Sequence, residues 1–346
     1  MTHVHFDDVH VQGARGKSLL GPLSLKARAG ETLVICGATG SGKSLLIELA
    51  CGIRRPTSGR VLLDSVDAWR IRPADRNVGL LTQDAALYDH LGVGENIGFG
   101  LRNNDAKRIE EAAQIACCAD LLQGSKEPVG SLSGGERRRV ALAKAIAPDP
   151  DILLLDEPFN GLDNATRHTL RAQLSSECAR RTGTTIIALH EIPDAIALAT
   201  EVALLNKGQL LQLGSPQDLI NSPNSKEVAR HFSDPPPALL QGRINNGELE
   251  LPGGRIAYSG SLETNTLVGV VIPPFTASLA EDGLTGWEVR AHETTAAGLN
   301  LLLAHESEPA TPAGGYLRVC AELKNAPPVL TPVKLVLNSD NIQLFT

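Results

Sequence analysis

The chain lacks a run of apolar residues long enough to cross a bilayer. Its longest charge-free apolar stretch, Asn265 to Ala280, is interrupted by Pro273 and Pro274 and falls short of the roughly 20 residues a span needs. The amino-terminal MTHVHFDDVH has neither the basic start nor the apolar core of a secretory signal. Positive charge is in deficit: 32 Lys and Arg stand against 39 Asp and Glu, a formal net charge of −7. That balance argues against a protein whose main work is gripping nucleic-acid backbone. None of the six cysteines (Cys36, Cys51, Cys117, Cys118, Cys178 and Cys320) stands in C-x-x-C spacing, so they read as reduced packing residues rather than metal ligands. Strong internal repeats and low-complexity tracts are absent. What remains, 42% hydrophobic and 21% charged residues in 346, is the composition of a soluble globular protein of about two domains.

The most informative stretch is Leu33 to Leu46, LVICGATGSGKSLL. Leu33-Val34-Ile35-Cys36 reads as a buried strand, and the Gly-x-x-x-x-Gly-Lys-Ser pattern from Gly37 to Ser44 turns it into an apolar helix. A loop that wraps a triphosphate must bring backbone N–H groups close to a convex anion, which Gly37, Gly40 and Gly42 permit. The helix start near Lys43 adds its positive end. Lys43 is placed to reach the β and γ phosphates, and the Ser44 hydroxyl to ligate Mg²⁺.

Upstream, Val4 to Val11 and Leu23 to Lys26 alternate as half-exposed strands. Downstream, Arg60 to Asp64 and Asn77 to Thr82 read as strands, the second delivering Gln83. From about Asp84 the pattern is helix and loop, with a helix expected over about Asp105 to Leu122 and another from Ser133-Gly134-Gly135-Glu136 to about Ala147, where Pro148 and Pro150 stop it. Ile152-Leu153-Leu154-Leu155-Asp156-Glu157-Pro158 is a fully apolar strand carrying two acids at its carboxyl end. A helix over about Asn164 to Arg180 and a strand from Thr184 to Leu189 lead to His190. This alternation predicts a parallel sheet whose carboxyl ends gather Gly37, Gln83, Asp156, Glu157 and His190. A linker is expected near Asn221 to Leu239, with NSPNS and Pro235-Pro236-Pro237. Beyond it, short runs at Glu248 to Leu251, Arg255 to Tyr258, Leu267 to Ile272, Trp287 to Arg290, Leu301 to Leu303, Tyr316 to Val319 and Val333 to Leu337 predict an all-β domain, a small barrel.

Taken in order, Gly37 to Ser44, Ser133 to Glu136 and Ile152 to Pro158 resemble the motif set of the nucleotide-binding subunit of an ABC transporter, over about residues 4 to 232. The resemblance implies an α/β fold: a P-loop NTPase cassette over 1–232, with a parallel core sheet, an antiparallel β subdomain and a helical subdomain at about 84–147. An all-β domain over 233–346, similar to the OB or TOBE-like domain of bacterial importer ATPases for sugars, oxyanions, iron or polyamines, would follow. ATP and Mg²⁺ are the implied ligands. Gly37, Ala38, Thr39, Gly40, Ser41, Gly42, Lys43 and Ser44 would wrap the phosphates, and Ser44, Gln83 and Asp156 would attend the metal. Glu157 matches the general base, His190 the switch histidine at the γ-phosphate, and Gln83 the glutamine that senses metal and water.

The same resemblance implies a partner. Ser133, Gly134, Gly135 and Glu136, with glutamate where glutamine is common, would hold the nucleotide of a second copy or of a paralogous cassette, and Asp163 of Asn160-Gly161-Leu162-Asp163 would lie across that interface. By themselves these residues also fit an ordinary helix cap. Ala85 to Leu101 resembles the region that receives a coupling helix from a transmembrane permease, with Leu87, Tyr88, Leu91 and Ile97 exposed around a groove. A substrate-binding protein would be an indirect partner and nucleic acid none; the expected place is the cytoplasmic face of a bacterial or archaeal inner membrane.

Two departures stand out. The loop Val11 to Lys17 offers no aromatic to stack on adenine, leaving Arg15 as the candidate, and a segment that often reads Arg-Pro-Glu is Pro273-Pro274-Phe275 here. The expected function is ATP hydrolysis that powers import through dimer closure. The alternatives are a soluble ABC-type ATPase uncoupled from transport, and a ligand-sensing regulator with vestigial hydrolysis. Intact Lys43, Asp156, Glu157 and His190 speak against the latter.

Overall fold

The structure is a computed structural model, and it describes residues 3–101, 105–122, 128–232, 237–258, 260, 262–273, 277–295, 298–305, 316–321, 326–337 and 342–345. Of the sequence features above, Pro235, Pro236, Pro274 and Phe275 lie outside the described residues. The chain forms two compact units, Met1–Asp218 and Leu219–Thr346.

In the first unit the alternation of the opening residues becomes a hairpin, β1 (Val4–Gln12) and β2 (Ser18–Ala27), with Val4, Phe6, Val9 and Val11 turned inward. β3 (Thr32–Cys36) then runs into α1 (Lys43–Cys51), and β4 (Ser58–Leu63) and β5 (Val66–Asp67) return to the hairpin. The result is an antiparallel sheet in the order β2-β1-β4-β5.

β6 (Val78–Leu81) opens the next section, followed by α2 (Val93–Gly98), α3 (Ala106–Ile115) and α4 (Gly134–Ile146), which pack on one another. Helix α3 is shorter than its apolar pattern predicts. The backbone reverses at Cys117, which has φ +54, and the remainder of the expected helix is a 3-10 turn at Ala119–Leu122. β7 (Ile152–Asp156), α5 (Asn164–Arg180), β8 (Thr184–Leu189), α6 (Ile192–Leu198), β9 (Glu201–Asn206) and β10 (Gln209–Gly214) complete the unit's main sheet. Its order is β10-β9-β3-β8-β7-β6, parallel except for the β10 edge. Every residue of β3, β7 and β8 is buried, as central parallel strands covered on both faces require. One core joins the inner face of the antiparallel sheet, α1 and the parallel strands.

A short helix, α7 (Pro216–Asn221), runs up to the expected linker, and a second, α8 (Lys226–His231), lies within it and packs on a strand of the second unit. That unit is all antiparallel. β11 (Ala238–Asn245), β12 (Glu248–Leu251), β13 (Gly254–Ala257), β14 (Leu267–Ile272), β15 (Ala277–Ala280), β16 (Leu284–Thr295), β17 (Gly298–His305), β18 (Leu317–Ala321), β19 (Pro332–Leu337) and β20 (Gln343–Phe345) form two five-stranded sheets, β13-β12-β11-β14-β20 and β15-β19-β16-β17-β18. The sheets share one core around Trp287, with Ile244, Val270 and Ile272 from one and Val289, Leu301 and Leu335 from the other. Asn246-Gly247, both left-handed, makes the β11–β12 turn. An α/β cassette followed by an all-β, OB-like domain describes this architecture.

Within the helical section a single side chain holds a loop in shape. Asn96, fully buried in α2, accepts from Tyr88 N and donates to the carbonyls of Tyr88, Leu91 and Gly92. Asn96→Ala leaves these groups without that partner. We expect a loss of about 1–3 kcal/mol for unmade buried hydrogen bonds, read as a lower urea midpoint at unchanged slope.

Candidate functional site

The site grows from three strand ends. Cys36 pairs with Leu189, and Asp156 with Ala188, so β3, β8 and β7 finish side by side and release Gly37, His190 and Glu157 at one edge. Gly37 is demanded by packing: with φ +149, a Cβ there would stand 2.3 Å from Leu205 O. Gly40 has φ +79 and open space around it, and Ala38, Thr39 and Gly40 are exposed, so this rim of the loop is free to accept a ligand. Lys43, only 5% exposed, donates from Nζ to Gly37 O at 2.9 Å and Ala38 O at 3.2 Å, and lies 3.8 Å from Glu157 Oε1. These bonds tie the lysine to its own loop.

Asp156 is 5% exposed, and its Oδ1 has no hydrogen-bond partner. Burial raises its carboxyl above the usual range, with the Glu157 charge adding, while the Ser44 hydroxyl and the Arg138 and Lys43 charges hold it down. A buried carboxylate oxygen left unpaired beside a serine hydroxyl is a donor set that suits a divalent cation. No cluster of three or more His, Cys, Asp or Glu suited to a metal occurs among the described residues.

Glu157 stands in the left-handed region at φ +51, a strain of about 1–3 kcal/mol for a residue with a side chain. Its N–H donates to Ala188 O at 3.0 Å, and its carboxylate Oε1 lies 3.3 Å from His190 Nδ1. One carboxylate thus meets both the loop lysine and the histidine. His190 in turn has Nε2 3.6 Å from Glu191 Oε1.

Gln83 follows β6 with its side chain exposed. Its carbonyl is held by a residue that the sequence reading passed over, Arg138. In the run Arg137-Arg138-Arg139 successive helical residues point about 100° apart, and the structure sends each to a different target. Arg137 reaches Val129 O at 3.0 Å and Asp89 at 2.6 Å, Arg139 reaches Cys117 O, and Arg138 turns inward to the strand ends. The available signal was that spacing.

Ser133 and Glu136 form a reciprocal cap at the start of α4. Ser133 Oγ accepts from Glu136 N, and Glu136 Oε2 accepts from Ser133 N at 2.8 Å and from the Ser133 hydroxyl at 2.7 Å. Those bonds hold the Glu136 carboxyl below its usual range. Asp163 likewise caps α5, accepting from Thr166 N at 3.0 Å and Thr166 Oγ1 at 2.7 Å, which lowers its carboxyl. Gly135 backs onto Gly161, where a Cβ would come 3.0 Å from the carbonyl. The two turns therefore adjoin each other. Among the described residues no hydrogen bond or ion pair joins Ser133–Glu136 to the phosphate loop of the same chain.

The expected docking residues are corrected in part. Ile97 is fully buried and belongs to the packing of the helical section, where α2 meets α3 and α4. Leu87 and Leu91 are half-buried. Tyr88 is exposed and stacks on Phe99, a residue the sequence reading did not single out, with ring centroids 4.3 Å apart and Lys144 Nζ 4.2 Å above the tyrosine. Arg15 sits exposed, with φ +62, on the β1–β2 connection. Leu20, at that connection's far end, meets the phosphate loop, where a Cβ on Gly42 would lie 2.8 Å from it.

Comparison with known proteins shows what the chain is similar to. The family model described as ABC transporter matches residues 20–160. The sn-glycerol-3-phosphate import ATP-binding protein UgpC of Escherichia coli (strain K12) is 35% identical over 258 residues, 70% of this chain and 72% of that protein. The sulfate/thiosulfate import ATP-binding protein CysA of Mesorhizobium japonicum is 38% identical over 248 residues, 69% of this chain and 71% of the relative. Its Fe(3+) ions import ATP-binding protein FbpC is 33% identical over 275 residues, 77% and 76% of the two chains. Among solved structures, a bacterial Atm1-family ABC exporter with ATP bound superposes with a TM-score of 0.60 at 29% identity. That match covers 66% of this chain but only 41% of the exporter chain.

The raised Asp156 carboxyl has a signed consequence. Its ionised form is disfavoured by folding, so the cost is present above the folded-state pKa and is relieved as pH falls through it. Asp156→Asn should raise the melting midpoint of the nucleotide-free chain near neutral pH by about 2–4 °C, and the advantage should shrink on acidification. A thermal scan at several pH values checks both.

Proposed function

This chain belongs to the ABC transporter family, as an import ATP-binding subunit, and from that membership we propose how its own residues bind ATP, break it and pass the work to a transporter. It is an ATPase that powers uptake. The phosphate loop, Gly37 to Ser44, gives its backbone N–H groups and the N-terminus of α1 to the triphosphate, and Lys43 exchanges the Gly37 and Ala38 carbonyls for phosphate oxygens. Ser44 and Asp156, with Gln83, hold Mg²⁺, which when bound neutralises phosphate charge. Glu157 orients and deprotonates the attacking water, a task worth about 10² to 10⁴ in rate. His190 holds the same Glu157 oxygen, Oε1, that Lys43 approaches, and faces the γ-phosphate. The observation that carries this reading is the Glu157 carboxylate, within 3.3 Å of His190 Nδ1 and 3.8 Å of Lys43 Nζ, next to a buried carboxylate oxygen with no partner.

The exposed Ser133 and Gly134 at the start of α4 are unconnected to their own phosphate loop, which supports a head-to-tail pair in which they and Asp163 meet the partner's nucleotide. Moving such a pair from 1:99 to 99:1 in favour of closure takes about 5.5 kcal/mol of differential binding, and nucleotides touching both copies are the means to supply it. Tyr88 and Phe99, flanked by Leu87 and Leu91, form the patch proposed for the permease's coupling helix. No helix among the described residues is long and apolar enough to cross a membrane, in keeping with a peripheral place at the inner membrane beside a permease and a substrate-binding protein. The division of labour is proposed at residue 232, with the cassette before it and a TOBE-like domain after it.

Glu157→Gln replaces the carboxylate with a carboxamide of the same size and removes the base. We expect ATP affinity to be kept, turnover to fall about 10²-fold or more, and an ATP-dependent dimer to accumulate on size-exclusion chromatography. Turnover at the wild-type rate in that variant would remove Glu157 from its role.

A further inference from the structure

Arg138 is five residues inside α4, 5% exposed, and its guanidinium is spent entirely on backbone carbonyls. Nε donates to Glu157 O at 2.7 Å, Nη1 to Gln83 O at 2.7 Å and more loosely to Thr82 O, and Nη2 to Asp156 O. These four carbonyls sit at the carboxyl ends of β6 and β7, neighbours in the sheet, where the chain leaves the ladder and its acceptors need other donors. A planar fork with several fixed N–H groups spans both strand ends at once; no other side chain offers that geometry.

The placement bears on the one strained residue of the site. Glu157 is left-handed, and a residue with a Cβ holds that conformation only where its surroundings over-determine it. Here the peptide on its amino side is gripped through Asp156 O, and the one on its carboxyl side through Glu157 O, both by the same guanidinium. A turn of that backbone would swing the carboxylate away from Lys43 and His190. The other charges facing Arg138 come from Asp156, Glu157 and Asp84, so the cation is locally compensated.

We propose that Arg138 is a positioning residue for hydrolysis: it holds the Glu157 backbone in the strained conformation that aims its carboxylate, and ties Gln83 to the same point. The proposal rests on Glu157 as the base. It also makes α4 a rigid link between the Ser133-Gly134-Gly135 turn at its start and the strand ends that carry the chemistry. A shift of that helix is felt at the Glu157 backbone through five residues of helix and one side chain.

The test uses the full-length chain and the variants Arg138→Gln, Arg138→Lys and Glu157→Gln, alone and with Arg138→Gln combined with Glu157→Gln. Misplacing a catalytic group by about 1 Å costs about 10²-fold, so Arg138→Gln should lose about 10- to 100-fold in kcat with KM for ATP within about threefold. Arg138→Lys, a point charge that cannot span both strands, keeps the fold and should still lose about threefold or more. In the Glu157→Gln background, Arg138→Gln should cost nothing further, since it acts through Glu157. Independently of nucleotide, amide exchange should quicken at Glu157 and Asn160 in Arg138→Gln and stay unchanged in the second unit.

Wild-type kcat in either Arg138 variant overturns the proposal. So does a loss in which KM rises in step with the fall in kcat, or one that recurs in full in the Glu157→Gln background. Should Glu157→Gln itself turn over at the wild-type rate, the assignment of the base fails, and that outcome is told apart from a failure of Arg138 by the amide exchange.

Discussion

Three buried parallel strands end at one level, and the chemistry of the first unit hangs from that alignment. β3, β8 and β7 are buried throughout and in register, so the first residues past their ends, Gly37, His190 and Glu157, emerge side by side. The register is not adjustable in single steps. A slip of one residue would turn each strand's side chains to the opposite layer and bring Asp156 out of its buried position beside Ser44. The cost of that fixed geometry shows at the ends themselves, where the ladder stops. One carboxylate oxygen of Asp156 is orphaned, Glu157 is strained, and a lysine must bond its own loop.

The parts of this site that lie close in sequence were readable from it. Gly37 to Ser44 carries its whole function in eight consecutive residues, and Asp156-Glu157 follows directly from an apolar strand. Residues whose meaning depends on which way a helix faces were not. Ile97 looks like an exposed apolar residue on a polar segment, yet it is fully buried where α2 packs on α3 and α4, while Phe99, two positions on, is 57% exposed and pairs with Tyr88. Arg138 is hidden in a triplet of like residues that only the packed helix tells apart. β11 escaped for a different reason: Gly242 interrupts its alternation, and it is glycine because a Cβ would come 2.9 Å from both Leu249 and Val270 on the flanking strands. The break in α3 at Cys117 has no local signal, since an Ala-rich helical pattern runs through it.

The turns proposed to face a partner are satisfied within their own chain. Glu136 answers both polar groups of Ser133, and Asp163 answers both of Thr166, so each carboxylate is engaged at a helix N-terminus where negative charge is favoured. Such caps fix the entry angle of α4 and α5 and leave the proposed contact surface stiff rather than adaptive. A stiff surface loses little conformational entropy when a partner arrives, and it transmits displacement instead of absorbing it.

Stiffness at the start of α4 matters because of what the helix carries further in. Its first turn adjoins Gly161 and its interior holds Arg138, so the neighbourhood of Asp163 and the carbonyls of Gln83, Asp156 and Glu157 are read by one rigid body. Packed interiors do not deform smoothly, and a helix bonded at several points moves as a unit or not at all. A partner's nucleotide at the start of α4, as proposed above, would therefore be sensed at the Glu157 backbone without any flexible relay. The strain stored at that residue is the natural point of response, because a conformation held by outside bonds is the first to change when those bonds are redirected.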